Sequence, residues 1–243
     1  MKGPRLRDSN NLITRELYPL GQIPDEVIKR VGAYFVYLLA TGRKDLSGDD
    51  WGDAFAYAIN GTHLKSPVGI ADFVYEDKQA WSMKTVKKTN PFRRGQIRLI
   101  SGRCSPDYSY GIANPHDDLQ ATGRAVLGIW NERINIARDH YNPVRTVVLV
   151  RSEDMSSFCI YEEDNQRYST NEYVWKENSK NNLVGMKGEQ TCFTWQPHGS
   201  QFTIHSEIPE NAIKFKIRKP DTISQEKIWE TVGFSEDWVQ IIK

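Results

Sequence analysis

Apolar residues fall at helical spacing twice near the start of the chain. Across residues 24–40, Val27, Ile28, Val31, Phe35, Leu38 and Leu39 recur every three or four positions, and Gly42 follows as a stop. Across 50–59 the stripe is Trp51, Ala54, Phe55, Ala58 and Ile59, with Asp49 and Asp50 suited to the positive helix end and Gly61 to the C-cap. The period then shortens. Residues 68–75 and 80–86 are β-rich runs parted by polar 76–79, which predicts a hairpin, and 96–101 predicts a third strand. Residues 101–115 show no period and read as a long loop. A helix is expected from Asn114-Pro115 to about Arg138, with Asn114 as cap and Leu119, Val126, Ile129, Trp130 and Ala137 on its buried side. Residues 146–150 form a continuous apolar, β-branched run, the pattern of a strand covered on both faces. Strand, long helix and buried strand imply a crossover back into the hairpin's sheet.

The second half reads as short strands at 158–162, 173–175, 192–195, 202–205 and 213–217, a turn at 197–200, and short helices near 225–232 and 236–242. The expected fold is α/β in a single domain of 243 residues: a mixed β-sheet core flanked by helices over about 49–152, appended β-strands over 153–220, and C-terminal helices over 221–243.

Composition adds three points. The cysteines (Cys104, Cys159, Cys192) are odd in number and widely spaced, which fits neither a disulfide framework nor a zinc site. Residues 1–11 lack a secretory apolar stretch and residues 33–40 are too short to span a bilayer, so a soluble cytoplasmic protein with no membrane partner is expected. The net charge is +1, yet residues 78–106 contain no Asp or Glu and carry Lys78, Lys84, Lys87, Lys88, Arg93, Arg94, Arg98 and Arg103. Such a run is either a solvated face or a surface for phosphate. No Gly-rich phosphate loop implies a nucleotide cofactor, and the five histidines lack metal-binding spacing.

The candidate chemistry lies in the hairpin. Asp72 interrupts an apolar strand and Lys84 sits among Trp81, Met83 and Val86 in the next. Each charge is costly there unless paired or metal-bound. Side chains alternate along strands, so the two share a face only if the loop has an odd number of residues, such as Asp77-Lys78-Gln79. That register sets Asp72 opposite Lys84 and Val74 opposite Ser82. A purely structural ion pair is the alternative.

Asp, hairpin, then residue-x-Lys resembles the PD-(D/E)XK nuclease superfamily, known from type II restriction endonucleases; here the pieces are Ile70-Ala71-Asp72 and Ser82-Met83-Lys84. The layout over about residues 49–152 is most similar to the EcoRV-like branch of blunt-cutting enzymes. The resemblance implies Mg²⁺ bound by Asp72 and the Met83 backbone carbonyl, Lys84 acting on water and phosphate, double-stranded DNA as substrate, and a homodimer acting on a palindrome. Similarity to one member of that branch implies GGNNCC as the target. The chain departs from the pattern at Ser82, where the family usually carries an acid. A helix carboxylate would have to replace it, Asp53 before Asp50, with Glu76 and Asp77 better suited to the turn. For DNA contact the candidates are Lys87, Lys88, Arg93, Arg94, Arg98, Arg103, Asn114, Lys180, Asn181 and Asn182. A DNA repair nuclease of the same fold and a non-cutting DNA-binding protein are the competing expectations.

Overall fold

The computed structural model describes residues 16–64 and 70–242. The beginning of the first expected hairpin strand, residues 68–69, lies outside the described residues. Helices α1 (Asp25–Ala40) and α2 (Gly48–Ile59) form from the two stripes. α2 starts earlier than its stripe suggests because Ser47 and Asp50 cap it reciprocally: the Ser47 hydroxyl accepts from Asp50 N–H, and the Asp50 carboxylate accepts from Ser47 N–H. It ends on Asn60 in the left-handed region (φ 55°), one residue before the expected Gly61.

The strands are β1 (Thr62–His63), β2 (Phe73–Tyr75), β3 (Gln79–Lys87) and β4 (Gln96–Arg103); then, beyond helices α3 (Pro106–Tyr110) and α4 (Leu119–His140), β5 (Val144–Arg151), β6 (Ser157–Asp164), β7 (Val174–Glu177), β8 (Leu183–Lys187), β9 (Gln190–Gln196), β10 (Gln201–Glu207) and β11 (Ile213–Lys216). A final helix, α5, spans Gln225–Val232. One six-stranded sheet has the order β1-β2-β3-β5-β6-β11, and β5 runs parallel to β3, the pairing expected of a crossover. A five-stranded antiparallel sheet has the order β4-β10-β9-β8-β7.

Alternation on β3 assigns its two faces. Trp81 and Met83 join Phe35, Trp51, Phe55, Phe73, Val147, Leu149 and Phe158 under α1 and α2. Val86 turns the other way, where β4 lays Ile97 and Leu99 over Val148 and Val150. Every residue of β5 is buried, as its unbroken apolar run requires. α4 fills the remaining space, with Val126, Leu127, Trp130 and Ile134 packed between Val144 and the Phe193, Trp195 and Phe202 face of the second sheet. Each such fully buried side chain contributes roughly 1.5–3 kcal/mol. Among the described residues no helix is long and apolar enough to cross a membrane.

Several boundaries differ from the pattern. α4 begins at Leu119, capped by the Asp118 side chain on Ala121 N–H. Asn114 instead closes a turn, bonding Asp117 and the His116 N–H. The expected loop at 101–115 contains the end of β4 and α3, which stops at Gly111 (φ 69°). β8 carries no strand signal because Gly185 stands at its centre; a Cβ there would meet Trp175 and Phe193 at about 3 Å. The expected helix at 236–242 is a single 3₁₀ turn, Glu236–Trp238.

Candidate active site

β2 and β3 pair Phe73 with Trp81, Val74 with Ala80 and Tyr75 with Gln79. The loop is therefore Glu76-Asp77-Lys78, with Glu76 and Asp77 at φ 49° and 52°. It is odd in length, as required, but one residue earlier than expected. Asp72 lies just before this ladder, and its carboxylate meets Ser82 and Lys84, which alternation puts on one face of β3. Backbone bonds run on past β2, but out of register with β3: Asp72 N–H donates to Trp81 O (2.9 Å), the partner of Phe73, and Leu64 N–H donates to Asp72 O (2.8 Å).

Three donors converge on Asp72 Oδ2: Met83 N–H at 2.7 Å, Ser82 Oγ at 3.2 Å and Lys84 Nζ at 3.6 Å. The two charged side chains are 26% (Asp72) and 19% (Lys84) exposed, so the pair is shielded but reachable. Met83 N–H points to the hairpin edge, and strand geometry sends its carbonyl the same way, while its side chain packs beneath the helices. Burial pulls the Lys84 pKa below the ordinary lysine value; Asp72 opposes the shift and Arg133 adds to it.

Arg133, on α4, was not among the sequence candidates. Its Nη1 donates to Ser101 O at 3.1 Å, and Gly102 (φ +95°) leaves it room, since a Cβ there would lie 2.6 Å from Nη1. A signal was available: Arg133 is three residues after Trp130 and four before Ala137, a cation on the flank of an otherwise buried stripe. A cleft of ≈ 320 Å³ adjoins the chain just before β2, lined by Ile70, Ala71, Arg133, Ile136, His140 and Tyr141 among others, with Ala71 the nearest lining residue in the chain to Asp72; neither Asp72 nor Lys84 is in its wall. A larger cavity of ≈ 540 Å³ lies at the start of β5 among the Arg138 and Arg145 ion pairs and touches neither Asp72 nor Lys84. The smaller cleft is tied to the hairpin through Ala71, next to Asp72 in the chain, and through Arg133; the larger cavity has neither in its wall.

The structure does not bring Asp53 to this site. His63 pairs with Phe73 and so points to the helix side of the sheet, where its Nδ1 lies 2.8 Å from Asp53 Oδ1. Asp72 projects from the opposite face. Asp50 is engaged by Ser47 and by Arg43 at 3.2 Å, and Glu76 and Asp77 form the hairpin turn. Among the described residues no three His, Cys, Asp or Glu side chains form a metal-sized group.

The basic candidates occupy several surfaces. Lys87 pairs with Asp45 at 3.5 Å, Lys88 Nζ donates to Arg93 O at 2.6 Å, and Arg94 lies 3.9 Å from Glu210. Arg98 is exposed on β4 opposite His205, with Arg103 exposed at the strand end. Lys180, Asn181 and Asn182 form the tip of the β7–β8 hairpin, where the Asn178 side chain accepts from Lys180 and Asn182 N–H. Compared with known protein families, curated proteins and solved structures, the chain matches no family model, no curated protein and no solved structure.

Proposed function

We propose that the chain is a site-specific, Mg²⁺-dependent endonuclease that hydrolyses phosphodiester bonds of double-stranded DNA, built on a restriction-endonuclease-like sheet. The observation that carries this reading is the convergence of Asp72, Ser82, Lys84 and the Met83 backbone at one open hairpin edge. Support comes from the β3–β5 parallel pair joined through α4 behind that hairpin, and from the basic segment that follows Lys84.

The donor set bears on the metal. With Oδ2 engaged, Asp72 offers Oδ1 and Met83 offers its carbonyl, two oxygens of the hard type that Mg²⁺ takes. That fits an ion whose remaining ligands are water and the DNA phosphate itself, so metal affinity depends on bound DNA. Bound there, Mg²⁺ supplies Lewis-acid stabilisation of the phosphoryl charge. Ser82 and Met83 N–H hold the Asp72 carboxylate in place, Lys84 places its ammonium beside the reacting phosphate, and Arg133 brings a second cation to the cleft wall. A palindromic target calls for a two-fold dimer.

One observation favours a second reading, a DNA-binding protein that does not cut: Oδ2 of Asp72 already accepts two hydrogen bonds and faces the Lys84 ammonium within the protein. Plasmid incubation with and without Mg²⁺ separates the two. Discrete fragments from wild type, lost in both Asp72→Ala and Lys84→Ala, support the nuclease. Salt-sensitive DNA binding by folded wild type, with no cleavage of unmethylated plasmids that carry GGNNCC, supports the binding protein.

A further inference from the structure

Among the described residues nothing covers the large apolar surface of the C-terminal arm. Its root is fastened to the body: Ile223 N–H donates to Ala40 O at 2.8 Å, and Thr222 packs beside Gly42. From Ser224 onward, the hydrogen bonds, ion pair and ring contacts described for the arm stay inside the arm. None of α5 is buried.

The arm is nevertheless ordered by its own sequence. Ser224 caps α5 through Lys227 N–H, Gly233 (φ 68°) ends it in the left-handed region, and Phe234 N–H returns to Trp229 O at 2.9 Å. That turn sets three aromatic rings in contact in series, Trp229 tilted against Phe234 at 5.7 Å and Phe234 edge-to-face with Trp238 at 5.8 Å. Exposure is 47% at Trp229, 53% at Val232, 61% at Trp238 and 65% at Val239, and rises to 81% and 91% at Ile241 and Ile242. With Phe234, these residues, backbone included, expose on the order of 800 Å², about what one partner contributes to a standard-size interface. A monomer rarely leaves so large an apolar patch in water.

The chemistry of the arm narrows the occupant. Residues 224–242 carry Glu226, Glu230, Glu236 and Asp237 against the single base Lys227, so the dense negative charge of DNA or an anionic membrane repels the arm. A second copy brings only the same small charge, which salt screens when it stays at the solvated rim of the contact. What remains is a protein surface rich in Trp, the residue type that anchors interfaces. Every copy of the chain presents the same patch, and a two-fold axis through it lets the patch cover itself. Because the knuckle is preformed, little ordering cost opposes the association.

We propose that the arm, residues 224–242, is a self-association surface through which two copies form a dimer. It gives a surface to the dimer that the nuclease reading calls for, but rests on the arm alone, and its test involves no DNA. The mass of the full chain is measured by sedimentation equilibrium from micromolar to hundred-micromolar concentration. Wild type is expected at twice the chain mass. Trp229→Glu with Trp238→Glu, and separately Val232→Lys with Val239→Lys, should halve that mass while leaving the circular dichroism spectrum native. Tyr37→Glu with Tyr57→Glu, on the exposed tyrosine cluster of α1 and α2, should leave the dimer intact. A monomeric wild type throughout this range, arm variants that remain dimeric, open-ended assembly, or a monomer produced only by the tyrosine variant overturns the proposal.

Discussion

Glu162→Gln tests the network on which the hairpin strand is mounted. The Glu162 side chain is fully enclosed and accepts four donors: Tyr18 Oη at 2.9 Å and Trp81 Nε1 at 2.7 Å on Oε1, and Gly21 N at 3.2 Å and Arg145 Nη1 at 3.4 Å on Oε2. Glutamine preserves the shape but retains one oxygen. Whichever way its amide turns, the NH₂ group confronts two donors. Among the described residues Arg145, itself buried, then keeps the half-exposed Glu16 at 3.0 Å and Tyr18 O at 3.0 Å as acceptors. Removing one member of a buried ion pair in this way costs about 3–5 kcal/mol, a large part of a typical domain's stability. At this chain length that lowers the melting temperature by roughly 10 °C. Urea denaturation monitored by circular dichroism gives the free energy, and the charge-free pair Arg145→Met with Glu162→Leu should recover only the part due to the unpaired Arg145 charge, because Tyr18 Oη, Trp81 Nε1 and Gly21 N–H still lack their acceptor. A Gln variant within about 1 kcal/mol of wild type would refute the reasoning, because it would mean water or relaxation had already satisfied these donors.

Arg133→Ala should weaken DNA binding and lower the slope of log affinity against log salt by about one, as expected for a lost phosphate contact; Ile136→Ala, from the same cleft, should leave the slope unchanged, and an unaltered Arg133→Ala slope removes Arg133 from the phosphate path. Asp53→Asn should retain cleavage where Asp72→Asn abolishes it, and should cost under about 1 kcal/mol because the Asp53–His63 pair is partly solvated; loss of cleavage with the fold intact would return Asp53 to the metal site. Burial raises the carboxyl pKa of Glu163, with the Ser206 hydrogen bond opposing. The folded chain therefore holds this proton at higher pH than the unfolded chain, and stability falls as pH climbs from the ordinary value of 4.5 through the raised one. Glu163→Gln should remove that fall, giving a variant more stable than wild type at neutral pH and equal to it in acid; parallel stability curves would show that the site is not shifted.

Local rules settled part of this protein without the structure. The stripes of α1 and α2 and the buried run of β5 follow from side-chain period, and they stand within a few residues of where the pattern sets them. The shared face of Asp72 and Lys84 followed from strand alternation and an odd loop, both local properties. Tertiary structure decided the rest. The two-residue shift in register that pairs Phe73 with Trp81 reflects how these rings pack under α2, and either odd loop satisfies the parity. Asp53 is separated from Asp72 because α2 covers one sheet face while Asp72 projects from the other, and no periodicity within either segment encodes that choice. β4 has a strand's alternation, yet its partner is β10, about a hundred residues along the chain. Arg133 reaches the site only because α4 crosses over that face. Sequence period acts between neighbours, whereas partner choice is a competition for burial among distant segments, and only the folded chain resolves it.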